Sequence, residues 1–302
     1  MHFGAGMIGV FDSGSGGLTV LRTLVTRLPE QRFVYLGDHA HAPYGDRSPE
    51  EIYELTRLNV ERLFGLGCSL VILACNTAAA VALRRLQQTW LQQHYPQHRV
   101  LGVLVPVVEA VTRVPWQTKE PTAESERTAS TVAIFATART VESGAYPREI
   151  GCRAPAISVL QQPCPDLVGR IEAGAESEEA RMAVSRHVES LLGQAEGRPL
   201  DKVILGCTHY PLIEEAFRAA LPQGTPILSQ PELVAESLRD YLRRHPQHKD
   251  AHGRERGRVT AFSTGGIANL RPLGQRFFGA PLAFCRIGAE PPGARPGIKT
   301  AV

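Results

Sequence analysis

The sequence predicts an α/β protein made of two related, doubly wound lobes. Strand and helix signals alternate along most of the 302 residues, which is typical of doubly wound folds. Two short apolar runs each end in a small residue and a cysteine, Cys75 in one case and Cys207 in the other. A further pair of apolar runs, at 8–11 and 132–135, precedes them in the same order. Because the second copy of each run comes in the same order, we expect two copies of one architecture.

The first predicted lobe comprises residues 1–104 together with 223–302. Its strands are short runs of β-branched and aliphatic residues, and the helix that starts at Pro49 has proline in its first turn followed by two acids. In chain order, the first segment predicts a strand at 8–11, a helix at 18–28, a strand at 33–36, a helix at 49–64, a strand leading to Cys75, a helix ending near 93 and a strand at 99–104. The second segment predicts a strand at 225–228, a helix at 231–243 and a strand at 259–262.

The second predicted lobe comprises residues 105–222. It contains predicted strands near 132–136, 156–159 and 202–206, with helices between them, an amphipathic helix at 181–193 and a helix at 212–220. The polar stretch 115–130 has two prolines and no periodicity, so we expect a surface loop there. The Pro- and Gly-rich segment 288–302 is predicted to be a disordered tail.

The composition is that of an ordinary globular protein. Hydrophobic residues make up 43% and charged residues 21%, and the net charge of +3 is small. No apolar run approaches the roughly 20 residues of a membrane helix, and no secretory signal is visible. The basic segment 243–258 lacks interleaved aromatic residues, so we expect a surface loop and no nucleic-acid partner. The six cysteines form no Cys-x-x-Cys pair, which favours a reducing cytoplasm over a disulfide framework.

Cys75 and Cys207 are the strongest candidates for chemistry. Each follows an apolar strand, and ligands of open α/β sheets bind at the carboxyl ends of strands. A following helix N-terminus and nearby polar donors would lower the thiol pKa. The alternative is that a cysteine is buried and inert, like a small hydrophobic residue. We adopt that alternative for the remaining cysteines, which are Cys68, Cys152, Cys164 and Cys285.

A metal site is the other possibility for Cys207, because His209 lies two residues further on. A zinc site needs about four ligands, and no second closely spaced pair accompanies these two. His39 and His41 are candidates by residue type only. The sequence therefore predicts no metal.

The glycine-rich segment 12–17 follows the first predicted strand and opens a helix. Glycines let backbone N–H groups approach an anion, and a helix N-terminus favours negative charge. Thr19 replaces the third glycine of a dinucleotide fingerprint, and the lysine of a Walker loop is missing, so a carboxylate suits this segment better. A tight turn without a ligand is the alternative. Asp12 is either a base, a partner for an ammonium group, or a solvated turn residue.

Taken together, several motifs resemble the glutamate racemases of bacterial cell-wall synthesis, in the aspartate/glutamate racemase superfamily. The resemblance runs from about residue 8 to residue 266. It depends on Asp12-Ser13-Gly14 with Gly16-Gly17, Pro43-Tyr44-Gly45, Ala74-Cys75-Asn76-Thr77, the segment 137–146 and Gly206-Cys207-Thr208-His209-Tyr210-Pro211. One such motif would be weak, whereas several in the correct order are specific.

The resemblance implies two pseudo-symmetric lobes with the active site in the cleft between them. It implies racemisation of L- and D-glutamate without a cofactor, with Cys75 acting on D-glutamate and Cys207 on L-glutamate from the opposite face. Asp12, His209 and Glu172 would assist the proton transfers. The substrate-binding residues that it implies are Asp12, Ser13, Tyr44, Gly45, Asn76, Thr77, Thr140, Thr208 and His209. Homodimers are common among such enzymes, so a homodimer is possible.

The chain departs from the family pattern at a few positions. Ala136 replaces the usual glycine before Thr137, and Ser229-Gln230 stand where an aspartate is common. The alternatives to a glutamate racemase are a sister enzyme acting on aspartate or another small acid, a two-lobed module that binds acidic amino acids, and a thiol hydrolase that uses one cysteine with a histidine.

Overall fold

The computed structural model describes residues 6–118, 121–122, 129–175, 177–250 and 259–287. Half of the predicted loop 115–130, the predicted tail 288–302 and the second half of the basic segment 243–258 lie outside the described residues. Within the described part of the chain, no helix is both long enough and apolar enough to cross a membrane.

The first of two sheets has six strands, in the order β10-β9-β2-β1-β3-β4. All of its pairings are parallel. The strands are β1 (Ile8–Asp12), β2 (Phe33–Gly37), β3 (Leu70–Leu73), β4 (Arg99–Gly102), β9 (Val259–Ser263) and β10 (Phe284–Arg286). The four central strands are almost entirely buried and apolar, as expected for parallel strands covered on both faces.

The second sheet has four parallel strands, in the order β6-β5-β7-β8. They are β5 (Ser130–Ala136), β6 (Ile157–Pro163), β7 (Lys202–Gly206) and β8 (Ile227–Leu228). In the first sheet, β1 lies between β2 and β3, and β4 lies outside β3. In the second sheet, β5 lies between β6 and β7, and β8 lies outside β7 in the same way. This repeat of one strand order confirms the prediction of an α/β protein with two related sheets that are mainly parallel.

Helices connect the strands. Their bounds are α1 (Leu18–Arg27), α2 (Pro49–Gly65), α3 (Asn76–Val81), α4 (Leu83–Gln88), α5 (Trp90–His94), α6 (Leu104–Thr112), α7 (Ala138–Glu142), α8 (Ala145–Arg153), α9 (Leu167–Gly174), α10 (Glu178–Ala195), α11 (Glu214–Ala220), α12 (Gln230–Arg244) and α13 (Leu270–Phe278). Three short 3-10 turns are also described, at Tyr44–Asp46, Tyr210–Ile213 and Pro246–His248. The start of α2 shows how local sequence determines where a helix begins. Ser48, the N-cap residue, and Glu51 form a reciprocal capping box, and Pro49 between them is the first residue of the helix.

One strand lies on the other side of the predicted lobe boundary. We expected residues from 223 onward to join the first lobe, but Ile227 and Leu228 pair with Val203 and Ile204 of β7 in the second sheet. A two-residue strand has too little pattern to reveal its sheet from sequence. The chain returns to the first lobe only after β8, through α12, which packs against α1 and α6.

The two lobes share part of their hydrophobic core. Side chains alternate along a strand, and on β5 one alternate set, Val132, Ile134 and Ala136, belongs to the large cluster built on the first sheet. The other set, Ala133 and Phe135, belongs to a smaller cluster confined to the second lobe. One face of the second sheet therefore packs in continuity with the core of the first lobe.

Candidate active site

The two candidate thiols stand at equivalent ends of equivalent strands. Cys75 follows β3 and occupies the N-cap position of α3, where its Sγ accepts a hydrogen bond from the N–H of Ala78 at 3.5 Å. Cys207 follows β7 and precedes the 3-10 turn at 210–213. Both are buried, and both are free thiols. The fold therefore places the two predicted reactive groups at the carboxyl ends of the third strand of each sheet.

Asp12 lies between these two strand ends. It ends β1, which is flanked by β2 and β3, and its side chain is fully buried. The N–H of Gly14 donates to Asp12 Oδ2 at 2.9 Å, and the hydroxyl of Thr208 approaches Oδ1 at 3.5 Å. A carboxylate of the first lobe thus contacts a hydroxyl that directly follows Cys207 in the second lobe.

Burial sets the acidity of both thiols. It raises the pKa of Cys75 to about 11, with the Asp12 carboxylate adding to the rise. Burial likewise raises the pKa of Cys207, and the charges of Cys75 and Asp12 add to it. Our expectation of lowered thiol pKa values was wrong, because loss of hydration outweighs the hydrogen bonds to the sulfur atoms. Since Asp12 influences both thiols, all three groups lie within electrostatic reach of one another.

Ser13 connects the glycine-rich segment to the first thiol. The Cys75 thiol donates to Ser13 Oγ at 3.3 Å. Gly17 allows α1 to start beside Asp12, since a Cβ at Gly17 would lie 2.6 Å from that of Asp12. The predicted anion-binding segment therefore lies directly against the first thiol and the buried carboxylate.

A histidine and a glutamate accompany the second thiol. His209 Nδ1 lies 3.9 Å from Cys207 Sγ, and its Nε2 donates to Glu172 Oε1 at 2.9 Å. This hydrogen bond lowers the pKa of Glu172. Glu172 lies on α9, so the structure brings it beside two predicted residues, Cys207 and His209, that are distant from it in the sequence.

Hydroxyl groups from both lobes meet beside the first thiol. The hydroxyl oxygen of Thr77, on α3, lies 3.0 Å from that of Thr137 and 3.2 Å from that of Thr140. The hydroxyl oxygens of Thr137 and Thr140 lie 2.9 Å apart. Gly45 lies against Thr137, where an added Cβ would be 3.4 Å away from the threonine Cβ. Thr137 was missed as a site residue, although a threonine that ends a strand and caps the next helix is a recognisable signal.

Tyr44 is placed differently from its neighbour Gly45. Its ring is buried, and its hydroxyl donates to Asp38 Oδ2 at 2.7 Å. The phenol is therefore engaged inside the first lobe, and it is the backbone of this turn that lies beside Thr137.

The histidines considered as metal ligands by residue type have other partners. His39 Nε2 lies 2.9 Å from Ser15 Oγ, and its Nδ1 lies 3.0 Å from Ser263 Oγ. His41 Nδ1 lies 2.8 Å from Asp38 Oδ1. Across the described ranges, no three histidine, cysteine or acidic side chains are grouped as metal ligands would be.

Asn76, next to Cys75, is held by a buried pair of amides. Its Nδ2 donates to Gln230 Oε1 at 2.8 Å, and Gln230 Nε2 donates back to Asn76 Oδ1 at 3.0 Å. The hydroxyl of Tyr146 also donates to Asn76 Oδ1 at 3.0 Å. Gln230 is one of the residues that depart from the family pattern, and no local pattern connects it with Asn76.

Replacing Gln230 by methionine should destabilise the protein by about 1–3 kcal/mol, because the buried Nδ2 donor of Asn76 would lose its acceptor. Methionine keeps the length of the side chain, so packing changes little. Urea unfolding followed by circular dichroism measures the effect. The exposed Gln223, changed to methionine in the same way, provides the control. Equal unfolding free energies for the two variants would contradict the role given to this amide pair.

Comparison with known proteins identifies the family. A family model described as Asp/Glu/Hydantoin racemase matches residues 8–238. The chain is 46% identical over 282 residues to a glutamate racemase of Phenylobacterium zucineum, covering 92% of this chain and 98% of the relative. It is 48% identical over 286 residues to a glutamate racemase of a Caulobacter species, with the same coverage.

A solved structure gives the same assignment. The glutamate racemase of Francisella tularensis, crystallised with D-glutamate, superposes with a TM-score of 0.76 at 26% identity, covering 92% of this chain and 95% of that chain. This assignment agrees with the repeated strand order, the paired thiols and the match along most of the sequence. The chain therefore belongs to the Asp/Glu/Hydantoin racemase family, and it is an isomerase.

Proposed function

We propose that this enzyme interconverts L- and D-glutamate without a cofactor, using Cys75 and Cys207 as its two bases. The observation that carries this proposal is the equivalence of the two thiols, which end the third strand of each sheet and are both influenced by Asp12. The relatives named glutamate racemase and the neighbour crystallised with D-glutamate support glutamate as the substrate.

In the proposed reaction, one cysteine acts as a thiolate and removes the α-proton, breaking the C–H bond and leaving its electron pair on carbon. The other cysteine, as a thiol, delivers its proton to the opposite face of that carbon. Cys75 removes the proton from D-glutamate and Cys207 removes it from L-glutamate. Asp12 assists on the Cys75 side, and the pair His209–Glu172 assists on the Cys207 side.

Substrate binding is assigned to polar groups around the two thiols. Ser13 and the N–H groups of the glycine-rich segment suit one carboxylate. The hydroxyls of Thr77 and Thr140, with the backbone of Gly45 beside them, suit the other. The remaining proposed contacts are Asp12, Tyr44, Asn76, Thr208 and His209. Fixed donors of this kind stabilise charge that develops as the α-proton leaves.

Burial of the thiols suits this chemistry. The α-proton of an amino acid is a very weak acid, and a thiol whose pKa is raised yields a more basic thiolate once it is deprotonated. The price is that little thiolate exists in the free enzyme at neutral pH.

We therefore expect kcat/KM for D-glutamate to rise between about pH 6 and pH 9, approaching tenfold for each pH unit. The reason is that the pKa of Cys75 is raised to about 11, so its thiolate fraction increases across this whole range. Because the Asp12 carboxylate contributes to the rise, the profile of Asp12→Asn should level off at a lower pH than that of the unmodified enzyme, with a lower plateau. Initial rates followed by circular dichroism, continued to pH values above the Cys75 pKa, give both profiles. Profiles that level off at the same pH would contradict this account.

The decisive experiment is incubation of each glutamate enantiomer in D2O without added cofactor. Deuterium should enter the α-position of the product with inversion, starting from either enantiomer, as measured by NMR and chiral chromatography. Absence of exchange from both enantiomers would end the racemase proposal. Exchange with aspartate but not with glutamate would mean that aspartate is the substrate, and the proposed two-thiol reaction would stay unchanged.

We further propose that the reaction takes place in the cytoplasm and supplies D-glutamate for peptidoglycan synthesis, and that the enzyme forms a homodimer. In a bacterium that depends on this gene, added D-glutamate should then restore growth after the gene is depleted. Analytical ultracentrifugation tests the dimer.

A further inference from the structure

The helix α13, near the end of the described chain, reaches across to the second lobe. It follows β9 of the first sheet, yet Arg276 Nη1 donates to the backbone oxygens of Glu172 at 2.7 Å and Ile171 at 3.3 Å. These carbonyls lie in the last turn of α9, where a helix leaves its acceptors without partners inside the helix. Arg276 therefore fixes the backbone that carries Glu172.

The next residue of α13 contacts the other member of the acid–base pair. Phe277 is fully buried, and its ring meets the His209 ring edge-on, with centroids 5.1 Å apart and planes at 80°. Edge-to-face contact restricts the plane of both rings. The imidazole is thus confined by Phe277 on one side and by its hydrogen bond to Glu172 at the Nε2 end.

Together the two contacts hold both ends of the Glu172–His209 hydrogen bond. The side chain of Glu172 is 43% exposed, so packing around the carboxylate itself does little to fix it. Its position depends on the α9 backbone, which Arg276 holds. The distance of 3.9 Å between His209 Nδ1 and Cys207 Sγ depends on the ring orientation, which Phe277 restricts.

We propose that Arg276 and Phe277 are positioning residues for proton transfer at Cys207, acting through Glu172 and His209. This inference rests on the proposed two-thiol reaction. It means that a helix belonging to the first lobe sets the geometry of the acid–base group in the second lobe. Among the described residues, no hydrogen bond or ring contact joins Arg276 or Phe277 to Cys75, Asp12 or Ser13, so we expect the effect at Cys207 and not at Cys75.

Racemisation alone cannot test this inference, because each turnover uses both thiols and the equilibrium constant is one, so any defect lowers kcat/KM equally in both directions. A glutamate with chlorine at C3 separates the two thiols. Removal of its α-proton by one thiolate is followed by loss of chloride from C3, so the C–H and C–Cl bonds break and a C=C bond forms. The second thiol takes no part.

We expect Arg276→Ala to lower the elimination rate by about tenfold for the enantiomer whose elimination is abolished in Cys207→Ala, while the other enantiomer stays within about twofold. Phe277→Leu should show the same selectivity at a smaller size, because leucine fills the space without a ring edge. Arg276→Lys should restore part of the loss, since it keeps a donor for the carbonyls. Arg271→Ala, an exposed arginine on the same helix, is the control and should leave both rates unchanged.

A merely structural role would give a different result. Equal losses for both enantiomers in Arg276→Ala, Arg276→Lys and Phe277→Leu would overturn the inference, as would unchanged rates in all three. Melting curves show whether Arg276→Ala folds. If it does not, the elimination rates of the milder variants Arg276→Lys and Phe277→Leu test the inference. Failure of the proposed function is distinct, because the unmodified enzyme would then eliminate chloride from neither enantiomer and would exchange no deuterium.

Discussion

Replacing either Cys75 or Cys207 by alanine should lower kcat for glutamate racemisation by at least about 10²–10⁴-fold, the range for loss of a general acid or base. Each thiol takes part in both directions, as the base in one and as the acid in the other. Removing one of them therefore leaves no direction intact. Circular dichroism at a fixed wavelength follows the loss of optical activity from pure L- or D-glutamate.

The controls separate loss of chemistry from loss of structure. Cys152, which is exposed and far along the chain from either thiol, should tolerate alanine with unchanged kcat. Glutamate binding, measured by calorimetry, should partly survive in Cys75→Ala and Cys207→Ala, since the hydroxyl groups remain. Retained turnover in both single variants would refute the two-base assignment. Intact binding in an unmodified protein that exchanges no deuterium would instead favour a binding module.

Gly16→Ala should lower kcat/KM by about tenfold or more and reduce stability by about 1–3 kcal/mol, as overpacking of a filled site does. A Cβ at this position would lie 2.5 Å from His209 Nδ1 and even closer to Thr208 Oγ1. Both neighbours belong to the second lobe and follow Cys207. The methyl group would therefore push the second acid–base group away from the glycine-rich segment. Steady-state kinetics and thermal unfolding measure the two effects.

Gly65 provides the matched control for this substitution. It ends α2, and a Cβ there would meet nothing within 4 Å. Gly65→Ala should leave the kinetics unchanged and stabilise the protein slightly, by about 0.4–1 kcal/mol, by restricting the unfolded chain. Normal kinetics in Gly16→Ala would mean that the contact between the glycine-rich segment and the second lobe is not needed for the reaction.

The sequence was sufficient to predict those structural features that depend on a local pattern of residues. The apolar runs before Cys75 and Cys207 correctly predicted strand ends. The repeated order of such runs predicted two related sheets, because strand composition and turn residues are local properties. Glu172 was implied only by the family resemblance, and its Oε1 lies 2.9 Å from His209 Nε2.

Properties that depend on distant parts of the chain could not be read in this way. The pKa of a thiol depends on burial, so the helix N-terminus at Cys75 led to the wrong direction. The pairing of Asn76 with Gln230 joins residues separated by 154 positions, and no local pattern marks it. The helix α13 was not predicted. Its contacts with the second lobe could not be predicted either, because the pattern of an amphipathic helix does not reveal which surface the helix will cover.

The alternation of β5 side chains between the two hydrophobic clusters has a consequence for folding. Val132 and Ile134 would be exposed to water if the second lobe were produced alone, and the first lobe would lose the side chains that cover its own core. Neither lobe should therefore fold as an isolated fragment, despite the repeated strand order. Chemical denaturation of the intact enzyme should give one cooperative transition, in which both lobes lose structure together.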